Sequence, residues 1–185
     1  PMTTETVKTA FVEETSEEPR MPGSETDLDR RPEWEPRYPG SGRLKGKVAI
    51  VTGGDSGIGR ATAVLYAREG AKVAIAYLEE SEDAKITADA IEREGSEALL
   101  HESDLGCPDS CKLLVDRVMD KWGRLDILAN IAGEQHPDED ITDITVEQLQ
   151  RTFQTNIFSM FYLTQAARPH LKKGATIVNC TSVTM

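Results

Sequence analysis

The sequence predicts an α/β fold built on a parallel, doubly wound sheet. Two observations carry this. From Lys45 onward, short apolar runs alternate with amphipathic stretches of helical period. The apolar runs are continuous rather than alternating, as strands covered on both faces require. Helical crossovers between such strands make the sheet parallel.

The elements follow in order. Lys47–Val51 is the first strand. It runs into a glycine-rich turn, and a helix over Gly57–Glu69 follows, with Ala61, Val64, Leu65 and Ala67 on one face and Gly70 as its stop. Lys72–Tyr77 is a second strand, and Ser81–Glu94 a helix that ends at Gly95. Glu97–Glu102 is a third strand. Pro108 opens a helix that runs to Lys121, with Gly123 beyond it. Asp126–Ile131 is a fourth strand. A long helix is predicted over Thr145–Leu171, with Thr145 and Gln148 at capping-box spacing and Phe153, Ile157, Phe161 and Leu163 as its apolar stripe. Ala175–Thr181 is a fifth strand.

Residues 1–44 form a separate, acidic, Pro-rich region read as disordered or extended, because Pro19, Pro22, Pro32, Pro36 and Pro39 interrupt any helix. Two fates are open for Trp34 to Pro39: lying against the domain, or plain solvation. The second region, 45–185, is the folded domain. With 185 residues the chain is long enough for one domain with a core. A net charge of −11 runs against nucleic acid as a partner. No apolar run is long enough for a membrane helix, and the mean hydropathy is −0.42. The opening residues fit neither a signal nor a transit peptide, so a cytoplasmic protein is expected. Three cysteines are an odd number, which speaks against a disulfide framework. Cys107 and Cys111 with His101 lack the further ligands of a metal site, and no metal is expected. The acidic stretch Asp138 to Asp140 reads as a solvated loop, and the acceptor pattern Asn179-Cys180-Thr181 as strand.

The turn after the first strand reads Thr52-Gly53-Gly54-Asp55-Ser56-Gly57-Ile58-Gly59, in the form T-G-x-x-x-G-x-G. Strand, glycine turn and helix together are the context of dinucleotide binding. Gly53 turns the chain, Gly57 lets backbone N–H groups approach a pyrophosphate, and Gly59 allows close packing. The helix N-terminus offers donors and partial positive charge to phosphates. This spacing resembles the short-chain dehydrogenase/reductase family, whose Rossmann-like domain binds NAD or NADP. Further segments resemble the family in order. Ser103-Asp104-Leu105 matches the place of an adenine-contacting Asp. Asn130-Ile131-Ala132-Gly133 is similar to its N-N-A-G, with Ile131 departing from the pattern; Asn130 is implied to brace the sheet, and Ala132 and Gly133 to let the cofactor pass. Thr155-Asn156-Ile157 matches the segment of the active-site Asn, and Ser182 the catalytic Ser. The residues Gly40 to Lys47 and the Pro-rich tail are similar to the glucose/ribitol dehydrogenase-like branch.

The resemblance implies an oxidoreductase that moves a hydride between NAD(P) and an alcohol or carbonyl, such as a sugar, polyol or aldehyde. Thr52, Gly53, Asp55, Ser56, Gly57, Ile58, Gly59, Tyr77, Asp104, Leu105, Asn130, Ala132 and Gly133 are the expected cofactor residues; Asn156 and Ser182 are the expected catalytic ones. At the end of the second strand, Ala76-Tyr77-Leu78-Glu79-Glu80 has neither the usual ribose-binding acid nor an Arg for a 2′-phosphate, and Asp55 mildly disfavours that phosphate, so both cofactors stay open. The family's Y-x-x-x-K would come about a dozen residues after Ser182, and the sequence stops at Met185. The expectation is therefore an incomplete chain with five strands, the C-terminal strands missing, and no turnover by itself, since no positioned Tyr supplies the proton. A non-catalytic dinucleotide-binding module is the alternative. The expected partners are a small-molecule substrate and, at full length, further copies of the same chain.

Overall fold

The computed structural model describes residues 32–136, 138 and 140–182. Five parallel strands form one sheet in the order β3-β2-β1-β4-β5. They are β1 (Val48–Thr52), β2 (Lys72–Tyr77), β3 (Ala98–Glu102), β4 (Leu125–Asn130) and β5 (Leu171–Asn179). Helices α1 (Gly57–Arg68), α2 (Ser81–Arg93) and α3 (Pro108–Trp122) make the first crossovers. The fourth crossover holds α4 (Val146–Phe153), a π-helical turn over Gln154–Phe158, and α5 (Ser159–Ala167).

The core explains why β1 reads as an unbroken apolar run. Val48 and Ile50 face a cluster with Leu114, Val118, Leu128 and Leu163, beneath α3 and α5. Val51 faces Ala63, Ala67, Ile75 and Ile91, beneath α1 and α2. Each Val, Leu or Ile among these withdraws its side chain from water, worth about 1.5–3 kcal/mol. Coverage on both faces holds for β1, β2 and β4 but not for the two edges. β3 is half-buried, and β5 is exposed along most of its length.

The fourth crossover departs from the sequence reading. The expected helix Thr145–Leu171 does begin after Thr145, whose Oγ1 accepts from Gln148 N at 3.1 Å. It ends at Ala167. Pro169 supplies no N–H to continue the helical ladder. Leu171 then opens β5, so this strand starts four residues earlier than expected. The apolar stripe is not buried as a unit. Leu163 is in the core, whereas Phe153, Ile157 and Phe161 are exposed.

Ahead of the sheet, residues 32–44 lie along α1. The Trp34 ring sits over the Arg60 guanidinium, while Tyr38 is exposed. Ser41 N and Arg43 N donate to Glu69 Oε2 at 3.1 and 2.9 Å. These bonds, from the Arg43 and Ser41 groups, hold the Glu69 carboxyl down at about 2. Residues 1–31 lie outside the described part.

Candidate functional site

Strand order reverses between β1 and β4. In an open α/β sheet the crevice above the C-terminal ends of strands at that point is where ligands sit. A cleft of about 290 Å³ opens there, between the glycine loop after β1, the ends of β2 and β3, and the loop after β4.

The glycine loop forms its floor. Gly59 approaches the Gly53 carbonyl so closely that a Cβ would lie 1.8 Å from that oxygen. No other residue fits there. Gly57 has φ +49° and nothing within 4 Å of where a Cβ would be, so it faces open space in the cleft with a backbone that L side chains rarely adopt. Ser56 caps α1 without a side-chain hydrogen bond to its first turn. A helix end presented this way is a ready anion site. The cradle fits the phosphates of a dinucleotide.

Eleven of the expected cofactor residues line the cleft: Gly53, Asp55, Ser56, Gly57, Ile58, Gly59, Tyr77, Asp104, Leu105, Ala132 and Gly133. Two do not. Thr52 is buried behind the loop, where its Oγ1 accepts from Ile131 N and Ala132 N, both at 2.9 Å. Asn130 is buried as well, and its Nδ2 donates to Asn179 Oδ1 at 2.8 Å, joining β4 to β5. Both shape the cleft from behind, because a polar side chain pointing back into the sheet needs an internal partner. Burial pushes the Asp55 carboxyl above its ordinary range, against the hydrogen bonds that favour its charge.

The expected catalytic residues are also set back from the lining. Asn156 sits in the π-helical turn, and its amide clamps one residue from both sides: Oδ1 accepts from Glu134 N and Nδ2 donates to Glu134 O, each at 2.8 Å. Widened turns of this kind are frequent at functional sites. Ser182 follows β5 and is exposed; Cys180, two residues before it, lines the cleft.

Eight lining residues are not in the expected set: Ala76, Leu78, Ser103, Ile131, Glu134, Arg151, Thr155 and Cys180. Arg151 on α4 pairs with Asp104 Oδ2 at 2.5 Å and with Glu134 Oε1 at 2.9 Å, so one cation ties the loop after β3 to the loop after β4. Ser103 Oγ and Thr155 Oγ1 are buried hydroxyls without a hydrogen-bond partner, and both residues face the cleft. A buried polar atom left unpaired is costly. Among the described residues no group of His, Cys, Asp and Glu is arranged to hold a metal, though Glu139 of the acidic loop is outside them. Cys111 is buried in the core, and its thiol is pushed up to about 12 by that burial. No described helix is long and apolar enough to cross a membrane.

Comparison with known proteins adds a second line. The family model described as short chain dehydrogenase matches residues 47–185. The uncharacterized oxidoreductase YhdF of Bacillus subtilis is 50% identical over 173 residues, covering 93% of this chain and 60% of the relative. A chloroplastic protein of Arabidopsis thaliana named NADPH-dependent aldehyde reductase 1 is 42% identical over 170 residues, covering 88% of this chain and 59% of the relative. Among solved structures, a short chain dehydrogenase from Burkholderia cenocepacia in complex with NADP superposes with a TM-score of 0.74 at 38% identity, over 76% of this chain and 57% of that one. The chain thus spans about 60% of the length of the curated relatives it matches.

Proposed function

Since this chain belongs to the short-chain dehydrogenase family, we propose that it forms the dinucleotide-binding part of an NAD(P)-dependent oxidoreductase acting on an alcohol or carbonyl. The observation that carries this is the switch-point cleft, with its glycine cradle at the N-terminus of α1. The nicotinamide, when bound, supplies or accepts the hydride. The residues here bind and orient. Gly57, Ser56 and the start of α1 receive the phosphates. Asp104 accepts from the adenine amino group. Asn156 holds the loop carrying Glu134 in place beside the cleft. Ser182 orients the substrate oxygen by hydrogen bonding.

Proton transfer to that oxygen belongs to a Tyr whose acidity an adjacent Lys raises, and the sequence stops before the positions where the family places them. The proposal accordingly assigns dinucleotide binding to this chain, which spans about 60% of the length of the curated relatives it matches. Aldehydes, sugars and polyols are the substrate classes it names, with a cytoplasmic location and self-association at full length.

Titration of the chain with NADPH and with NADH, read by quenching of Trp34 and Trp122 fluorescence, tests the reading. Saturable binding of at least one nucleotide is expected, without oxidation of NADPH by added aldehyde. Absence of saturable binding to either would remove the reading.

A further inference from the structure

We propose that Trp34, in the segment ahead of the sheet, is a positioning residue for the glycine loop and acts on it through Arg60. The inference rests on the dinucleotide reading of the cleft. Arg60 directly follows Gly59, and its side chain is only 3% exposed, paired with Asp83 of α2 at 3.0 Å. Its Nε donates to Asp55 O at 2.9 Å and to Thr87 Oγ1 at 3.0 Å, and its Nη2 reaches the same Asp55 carbonyl at 2.5 Å. Asp55 is the middle of the glycine loop. The loop backbone therefore hangs from a buried cation that α2 holds in place.

Trp34 closes this arrangement from outside. The Arg60 Cζ lies 5.4 Å from the centroid of its ring. The face of an indole attracts a guanidinium directly, and it keeps water from the bonds beneath. In the lower dielectric that results, the hydrogen bonds of Arg60 to Asp55 and Asp83 are stronger. The segment carrying Trp34 is anchored at its other end. Ser41 and Arg43 bind Glu69, and the Gly40 backbone lies so close to α1 that a Cβ at residue 40 would come within 2.1 Å of Arg68 O. Residues 34–43 thus form a strap along α1, fixed at the helix C-terminus by Glu69 and stacked on Arg60 near its N-terminus.

The test compares Trp34→Ala, Trp34→Phe and Ser96→Ala in the full-length protein. Ser96 Oγ donates to Ala71 O at 2.6 Å, outside the cleft lining, so its loss lowers stability without touching the loop. Two readouts are taken: NADPH and NADH affinity, and amide hydrogen exchange over residues 53–59 without nucleotide. Trp34→Ala is expected to speed exchange of the loop severalfold and to weaken binding about threefold to fivefold. Trp34→Phe recovers most of both, and Ser96→Ala leaves both at the wild-type level. Wild-type exchange and affinity in Trp34→Ala overturn the proposal. Equal changes in Ser96→Ala overturn it too, because the strap then contributes stability alone. If the wild-type protein binds neither nucleotide, the reading of the cleft fails, and the exchange comparison decides the strap by itself.

Discussion

One side chain, Arg151, shows how much of a site depends on distances that no local pattern encodes. Its guanidinium spans Asp104 and Glu134, and both Asp104 oxygens are engaged, Oδ1 by Gly106 N at 2.8 Å and Oδ2 by Arg151. The rotamer of the Asp104 carboxylate is fixed by that pair. Arg151→Gln is expected to weaken dinucleotide binding about fivefold, the size of a half-exposed ion pair at its upper range. Arg151→Lys restores part of the loss, since an ammonium holds one carboxylate as a point charge but lacks the planar fork. Titration of the three proteins with NADPH checks this, and equal affinities would show that Asp104 is held without the arginine. The glycines of the loop were legible in the sequence because each serves a backbone conformation or approach that only glycine permits. Arg151 and Thr155 were not, because their meaning lies in partners 47 residues away or in an empty wall of the cleft. Asn130 is implied by the motif to brace the sheet, and its bond to Asn179 joins β4 to β5; Thr52, expected among the cofactor residues, instead holds the loop after β4 from behind the cleft.

At the scale of elements, the packing of β3 on α3 carries a titration. His101 on β3 is buried, and the Arg117 guanidinium of α3 lies 2.8 Å from its Nδ1. Burial, reinforced by the Arg117 charge, lowers the His101 pKa below its ordinary 6.5. The folded state therefore binds fewer protons than the unfolded state below that value. Stability is full above about pH 6.5 and falls as the pH drops toward the folded pKa. Urea unfolding between pH 7.5 and 5 is expected to show this loss, and His101→Gln to flatten it. An unchanged slope would assign the loss to other groups. The same scale marks where the reading of helices succeeded and failed. Helices α1 to α3 were placed to within a residue, because glycine or proline punctuates their ends. The fourth crossover was read as one helix through Pro169. The π-helical turn has no local signature, and Asn156 within it bonds twice to Glu134, a residue 22 positions away.

For the molecule as a whole, the parallel order and the position of the cleft followed from strand runs and one glycine turn. Coverage of the sheet did not. Ile144, Val146, Leu149, Phe153, Phe158 and Phe161 are exposed along the fourth crossover, and β5 exposes Ile177 and Val178. So much apolar surface beside a strand edge favours association. The 185-residue chain by itself is expected to self-associate in a concentration-dependent way, measured by light scattering after size exclusion. A monomer at all concentrations would show that this surface is less adhesive than its composition. The sheet order also has a kinetic consequence. β1 lies between β2 and β4, and its ladder with β2 closes almost at once, Val48 opposite Lys72. Its other edge waits for β4, where Asp126 receives the Val48 amide across 78 residues. Closing that long loop costs entropy before any contact repays it. During synthesis β1 therefore stands with one bare edge until β4 has emerged.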